Sequence, residues 1–211
     1  MLRRLRGYYF ITDACLSRQG NYADVKAAVR AGTGVIQYRN KNVSCQQFFQ
    51  EALILRELCL ESLFIVNDRI DVAYCIDADG VHIGQSDASL SQARNLLGPK
   101  KIIGVTVHTL AQALNAQKRG ASYVALGPIF ATGTKHDAGL PCGVTRISEI
   151  KKRLSIPLVV IGGITLSNAS EVIAAGADSV CAISAVVASA NVGVSIKRFQ
   201  SFFTPLGWKT G

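Results

Sequence analysis

Nowhere in this sequence is there an apolar run long enough to cross a bilayer, which argues against a membrane-spanning chain. The apolar stretch nearest the start, Tyr8 to Ile11 behind Arg3, Arg4 and Arg6, is far too short for a signal-peptide core. Six cysteines are present (Cys15, Cys45, Cys59, Cys75, Cys142, Cys181), but without a CxxC pair or a histidine at ligand spacing. A chain able to bury an ample core has no need of a disulfide framework, so the thiols are expected to be reduced and mostly buried. Charged residues are only 18% of the chain against 49% hydrophobic, which excludes disorder as its main character. The formal net charge is +9, yet no basic run is interleaved with aromatics. A nucleic-acid surface is therefore the weaker reading, and small anionic substrates the stronger. Linkers, repeats and low-complexity segments are also lacking, so the expectation is one domain over 1–211, soluble and cytoplasmic, with no membrane partner.

What is present is an alternation of short apolar runs and amphipathic stretches. Strands are expected at Tyr8–Thr12, Val35–Arg39, Leu63–Asn67, Gly80–Ile83, Lys101–Thr106, Tyr123–Leu126, Leu158–Ile161 and Ser179–Ile183. They lack strict alternation, as strands covered on both faces do. Between them, Phe48, Ala52, Leu55 and Cys59 recur at helical spacing. Ser44, Ser89 and Thr109 each stand three residues before a glutamine, the pattern of a capping box. Ala31-Gly32 and Ala175-Gly176 mark helix ends. Eight strand–helix pairs at this length, with no Gly-rich first turn, predict an α/β (β/α)8 TIM barrel rather than an open doubly wound sheet.

Barrel chemistry is built at the C-terminal strand ends. Strand two ends in Gln37-Tyr38-Arg39-Asn40-Lys41, where a period of two puts Gln37, Arg39 and Lys41 on one face. The arginine fork and lysine charge together suit a diphosphate. Asn67-Asp68 ends strand three, and strand four runs through His82 to Asp87. Two carboxylates beside that basic cluster suit Mg²⁺, which takes a few carboxylates and fills its shell with phosphate oxygens and water. Alternatively, Asp68 pairs with Arg69 or Arg39, or caps the helix that starts near Asp71. After strand six, Thr132-Gly133-Thr134-Lys135 reads as an anion-binding loop, though without Walker spacing. The stretch from Thr134 to Gly143, rich in Gly and Pro, fits a lid. Gly162-Gly163 after strand seven and Ile183-Ser184 after strand eight occupy the recurrent backbone phosphate site of barrels.

These motifs, in order over essentially the whole chain, resemble thiamine-phosphate synthase. The resemblance rests on Tyr9-Phe10-Ile11-Thr12-Asp13, the Gln37–Lys41 and Asn67–Arg69 motifs, and Asp79 through Asp87. It continues through Gly104 to Thr109, Gly127 to Lys135, Ile161 to Ile164, and Ile183 to Ala185. It implies a Mg²⁺-dependent transferase that joins an aminopyrimidine diphosphate to a thiazole phosphate, releasing diphosphate. By matching position, it implies that Gln37, Arg39, Lys41, Asn67 and Lys135 hold the pyrimidine diphosphate, with Arg39, Lys41 and Lys135 acting catalytically. Thr106 also meets the diphosphate, while Tyr9 and His82 line the pyrimidine pocket. Asp68 and Asp87 bind the metal. Thr132, Gly133, Thr134, Gly163, Ile183 and Ser184 take the thiazole phosphate, and Tyr38 and Asn40 lie within the substrate-binding strand end. The family more usually carries leucine and glutamate at positions 38 and 40, and proline at 131. The rival is a thiazole tautomerase that would use His108 for proton transfer, and a non-catalytic precursor-binding protein is the alternative from another class. The oligomeric state, a homo-oligomer included, is left open.

Overall fold

The computed structural model describes residues 4–134 and 139–203. Within them each expected strand forms: β1 (Gly7–Ile11), β2 (Val35–Tyr38), β3 (Leu63–Asn67), β4 (Gly80–Ile83), β5 (Ile102–Val107), β6 (Tyr123–Leu126), β7 (Leu158–Ile161) and β8 (Ser179–Cys181). They pair in chain order, all parallel, and β8 closes on β1. The (β/α)8 barrel expected from the alternation is the observed fold.

Four strands end where the sequence places them, and the others shift by a residue or two. The largest difference is at β8, whose run was expected to reach Ile183. The ladder to β1 pairs only Gly7 with Ser179 and Tyr8 with Val180, and the chain then turns into α8 (Ile183–Val187). Pairing partners, rather than the β-branched character of Ile183, decide that end.

The absence of strict alternation has a direct cause, because each strand serves two cores. One set of alternate residues fills the barrel, among them Tyr9, Ile11, Val35, Ile65, Ile102, Tyr123 and Val159. The other set, including Phe10, Ile36, Tyr38, Phe64, Val81 and Ile103, packs against the surrounding helices. Those helices are α1 (Asn21–Arg30), α2 (Cys45–Leu58), α3 (Ile70–Cys75), α4 (Leu90–Leu97), α5 (Leu110–Lys118), α6 (Thr145–Lys151), α7 (Ala169–Ala174), α8 and α9 (Val192–Ser201). On α2, Phe48, Ala52 and Leu55 are the buried face.

Ser44 and Ser89 form full capping boxes with Gln47 and Gln92. At the third expected box, Thr109 accepts from Gln112 N, but Gln112 Oε1 accepts from His108 N at 2.7 Å instead of closing on Thr109. The helix ends at Ala31-Gly32 and Ala175-Gly176 are as expected, with Gly32 and Gly176 at φ 74° and 109°.

All six cysteines are free thiols, but only Cys59 and Cys181 are buried. Cys15, Cys45 and Cys75 are exposed, which corrects the expectation of mostly buried thiols. Cysteine's average preference for the interior gives no position-by-position placement. No helix among the described residues is long and apolar enough to cross a membrane.

Candidate active site

The end of β2 divides its side chains as a pleated strand must. Gln37 points into the barrel and is buried, whereas Tyr38 points out into the helix layer. The Tyr38 hydroxyl donates to Glu51 Oε2 at 2.5 Å, and Asn40 Nδ2 donates to the same oxygen at 3.0 Å. Expected among the substrate contacts, these two side chains are instead turned away from the barrel mouth and anchored on α2. There they brace the strand end from the α2 side. Between them, Arg39 is fixed by its backbone. Its N–H donates to Thr12 Oγ1 at 2.8 Å, and that hydroxyl donates to Arg39 O at 2.9 Å. The guanidinium lies 3.4 Å from the Asp13 carboxylate. Lys41 pairs with Asp68.

Asp68 follows β3 in a left-handed conformation (φ 62°), with its N–H on His82 O at 2.8 Å. Such a φ is uncommon outside glycine, and tolerated best by Asn and Asp. Burial raises the pKa of its carboxyl first, and the facing Asp87 carboxylate, within hydrogen-bonding reach, raises it further. Lys41 opposes both. Asp87 also accepts from Gly84 N at 2.7 Å. The alternative pairings for Asp68 are not those formed. Arg69 makes two bonds to Asp71, at 2.9 and 2.6 Å, and Arg39 faces Asp13. No group of three or more His, Cys, Asp or Glu among the described residues could cage a metal alone. Two adjoining carboxylates do fit a hard divalent cation that takes its remaining oxygens from substrate and water.

Beneath the charged rim lies a line of buried polar side chains. Gln37 Nε2 donates to Tyr9 Oη at 2.9 Å, and Tyr9 Oη lies 2.7 Å from Tyr123 Oη. Tyr123 Oη is 3.0 Å from His82 Nδ1, and His82 Nε2 is 2.9 Å from Thr106 Oγ1. The register explains how β6 reaches β4 across β5. His82 pairs with Gly104, and Gly104 with Tyr123. A Cβ on Gly104 would stand 2.0 Å from the Tyr123 ring. The glycine thus leaves the space through which the ring passes. Gln37, Tyr9, His82 and Thr106 were expected in the site. Tyr123 was not, because an inward tyrosine on a strand reads as core.

On the other side of the mouth, Gly162 and Gly163 turn the chain at φ 102° and 64°. Added Cβ atoms there would stand 2.6 Å from Pro128 and 2.5 Å from Ala131 O, so only glycine lets the β7 end approach the segment after β6. Phe130 N donates to Gly162 O at 3.0 Å, and Asn168 Nδ2 to Gly163 O at 3.0 Å. Thr132 Oγ1 accepts from Thr134 N at 3.3 Å, with Gly133 between. Ile183 and Ser184 begin α8 directly after β8. His108 is exposed, and its Nδ1 lies 2.6 Å from Gly127 O. Lys135, and the part of the expected lid at 135–138, lie outside the described residues. Two further residues at the site escaped the sequence reading: Glu51 on α2, and Gln85, whose Nε2 donates to Thr106 O at 2.5 Å.

Comparison with known proteins bears on the family of this chain and its fold. The thiamine monophosphate synthase family model matches residues 8–186. A thiamine-phosphate synthase of Methanosarcina barkeri is 48% identical over 193 residues, covering 91% of this chain and 88% of that protein. One from Chloroflexus aurantiacus is 46% identical over 196 residues, covering 92% and 90%. Among solved structures, a thiamine phosphate pyrophosphorylase from Pyrococcus furiosus superposes with a TM-score of 0.87 at 36% identity, covering 96% of this chain and 97% of that one. A 3-hexulose-6-phosphate synthase, 15% identical with a TM-score of 0.68, shares the barrel alone. The family model spans most of the chain and the relatives nearly all of it: this chain belongs to the thiamine monophosphate synthase family.

Proposed function

We propose that this chain condenses 4-amino-2-methyl-5-hydroxymethylpyrimidine diphosphate with 4-methyl-5-(2-hydroxyethyl)thiazole phosphate, giving thiamine phosphate and diphosphate. Supporting the reading most strongly is the meeting at one mouth of Arg39, Lys41, Asp68 and Asp87 above the buried polar floor. Arg39 and Lys41, paired with Asp13 and Asp68, exchange those partners for diphosphate oxygens. Asn67 and the Thr106 hydroxyl add neutral donors, and Lys135 is assigned to the same group. Asp68 and Asp87 would hold Mg²⁺, which when bound supplies positive charge to the leaving diphosphate.

Diphosphate departs first and leaves a pyrimidinylmethyl cation. The cationic side chains stabilise the charge that builds on the leaving oxygens, and their fixed placement avoids reorganisation as it builds. Tyr9, Gln37 and His82 surround the pyrimidine, the neutral polar wall that a cation tolerates. Gly163, Ile183, Ser184 and the Thr132-Gly133-Thr134 segment take the thiazole phosphate, bringing the ring nitrogen towards the cation.

Two variants test the reading against a tautomerase built on the same barrel. Arg39→Ala should lower coupling by roughly a hundredfold or more, the scale of removing a charge-stabilising group. His108→Ala should lower it only modestly, since His108 rests on Gly127 O. The reverse ranking, with isomerisation of a thiazole carboxylate phosphate, would overturn the reading.

A further inference from the structure

We propose that Tyr123 is a positioning residue for the coupling reaction, its hydroxyl joining five side chains into one directed hydrogen-bond chain from Gln37 to Thr106. The proposal rests on the coupling reading above, which supplies the two ends of the substrate.

Counting protons gives the direction. Gln37 Nε2 can only donate, so Tyr9 Oη accepts there. The proton of Tyr9 then goes to Tyr123 Oη, 2.7 Å away. Having accepted, Tyr123 donates its own proton to His82 Nδ1 at 3.0 Å. A neutral imidazole with an accepting Nδ1 carries its proton on Nε2, and Nε2–H donates to Thr106 Oγ1 at 2.9 Å. With Gln37 Nε2 on Tyr9, the reverse direction would leave the Tyr9 proton without an acceptor among the described residues, in a place 2% exposed. Buried hydroxyls are rarely left so. That direction requires the Gln37 amide turned over, and it puts the His82 proton on Nδ1, so the tautomer tells the two apart. Burial also raises the pKa of both tyrosines well above the ordinary range, so each keeps the proton the chain needs.

The consequence lies at the two ends. Gln37 uses an N–H on Tyr9, which leaves its carbonyl as the acceptor to offer the substrate. Thr106 accepts from His82 and has its own O–H left to donate at the mouth. An amino group becomes a better donor as its ring turns cationic, and a leaving diphosphate becomes a better acceptor. The chain thus offers each end of the substrate the partner it needs more in the transition state than in the ground state. Without the Tyr123 hydroxyl, the His82 proton can move to Nδ1. Nε2 would then accept from Thr106 and draw its O–H away from the diphosphate.

The test is ¹⁵N NMR of histidine-labelled protein at alkaline pH, where an ordinary imidazole is neutral, with His82→Gln used for assignment. In the wild-type protein the protonated nitrogen of His82 should be Nε2. Tyr123→Phe, which keeps the ring, should shift that signature towards Nδ1–H. It should also reduce kcat by roughly ten- to hundredfold, with KM for the thiazole phosphate changed by less than about twofold. Wild-type His82 protonated on Nδ1 overturns the proposal, and so does a folded Tyr123→Phe that keeps both the Nε2–H signature and wild-type kcat. A fall in kcat without a tautomer change overturns it too. Should the variant fail to fold, the wild-type tautomer still decides. A wild-type protein that forms no thiamine phosphate counts against the coupling reading instead, a result the NMR signature separates from this one.

Discussion

Asp68 and Asp87 bring two carboxylates together in a partly buried place, and Lys41 offsets part of the resulting charge at Asp68. In the metal-free protein that arrangement costs stability. The sign follows from the raised Asp68 pKa. An acid titrating higher in the folded state than in the unfolded one weakens the fold where it is charged in both; the penalty fades as pH falls through the raised folded-state value and is gone below the unfolded one. Metal-free Asp68→Asn should therefore melt no lower than the wild type at neutral pH, with any advantage shrinking on acidification. Asparagine also accepts the left-handed backbone at this position (φ 62°). Mg²⁺ should raise the melting temperature of the wild type but not that of Asp68→Asn or Asp87→Ala. Both variants should lose turnover by more than roughly a hundredfold, as loss of several kcal/mol of charge stabilisation requires. Thermal melts with and without Mg²⁺, beside coupling assays, check this; a variant with near-normal, metal-independent turnover would remove the two aspartates from the metal site.

At the level of the elements, β2 and β5 do the positioning. Gly104 on β5 lies between His82 and Tyr123 in register, so Gly104→Ala pushes a methyl group into the Tyr123 ring. Overpacking of this kind should destabilise the protein by about 1–3 kcal/mol and lower kcat with it, read by denaturant titration and assay. On β2, Glu51 of α2 holds Tyr38 and Asn40 on either side of Arg39. Glu51→Ala should release that strand end and raise KM for the pyrimidine diphosphate by roughly tenfold, about 1.4 kcal/mol of binding, at near-normal kcat. A large fall in kcat with unchanged KM would contradict a bracing role. What the sequence made legible here was local: serine–glutamine caps, Ala-Gly stops, and the strand ends that carry Gln37, Arg39 and Asp68. The outward turn of Tyr38 was readable in principle from the period of two that puts Gln37 and Arg39 inside. Tyr123 was not. Its partner Tyr9 is 114 residues away and His82 41 residues away, and nothing near Tyr123 in the chain distinguishes it from a core aromatic. Gln112 shows the same limit on a smaller scale, since its side chain closes on His108 rather than on the cap three residues before it.

For the molecule as a whole, parallel strands covered on both faces leave a nearly continuous apolar signal, and eight of them in series made the barrel legible before any pairing was known. The closed sheet then gathers residues from Tyr9 to Ser184 at one mouth, which is why motifs scattered along the chain read as one site. The excess of positive charge, +9 overall, suits a reaction between two phosphorylated substrates. One measurement bears most directly on this account: incubating the purified protein with the aminopyrimidine diphosphate, the thiazole phosphate and Mg²⁺, and following both products. Thiamine phosphate and diphosphate should form in equal amounts, with neither formed when Mg²⁺ is chelated. Folded protein that yields no thiamine phosphate, or that releases diphosphate without joining the rings, would contradict it.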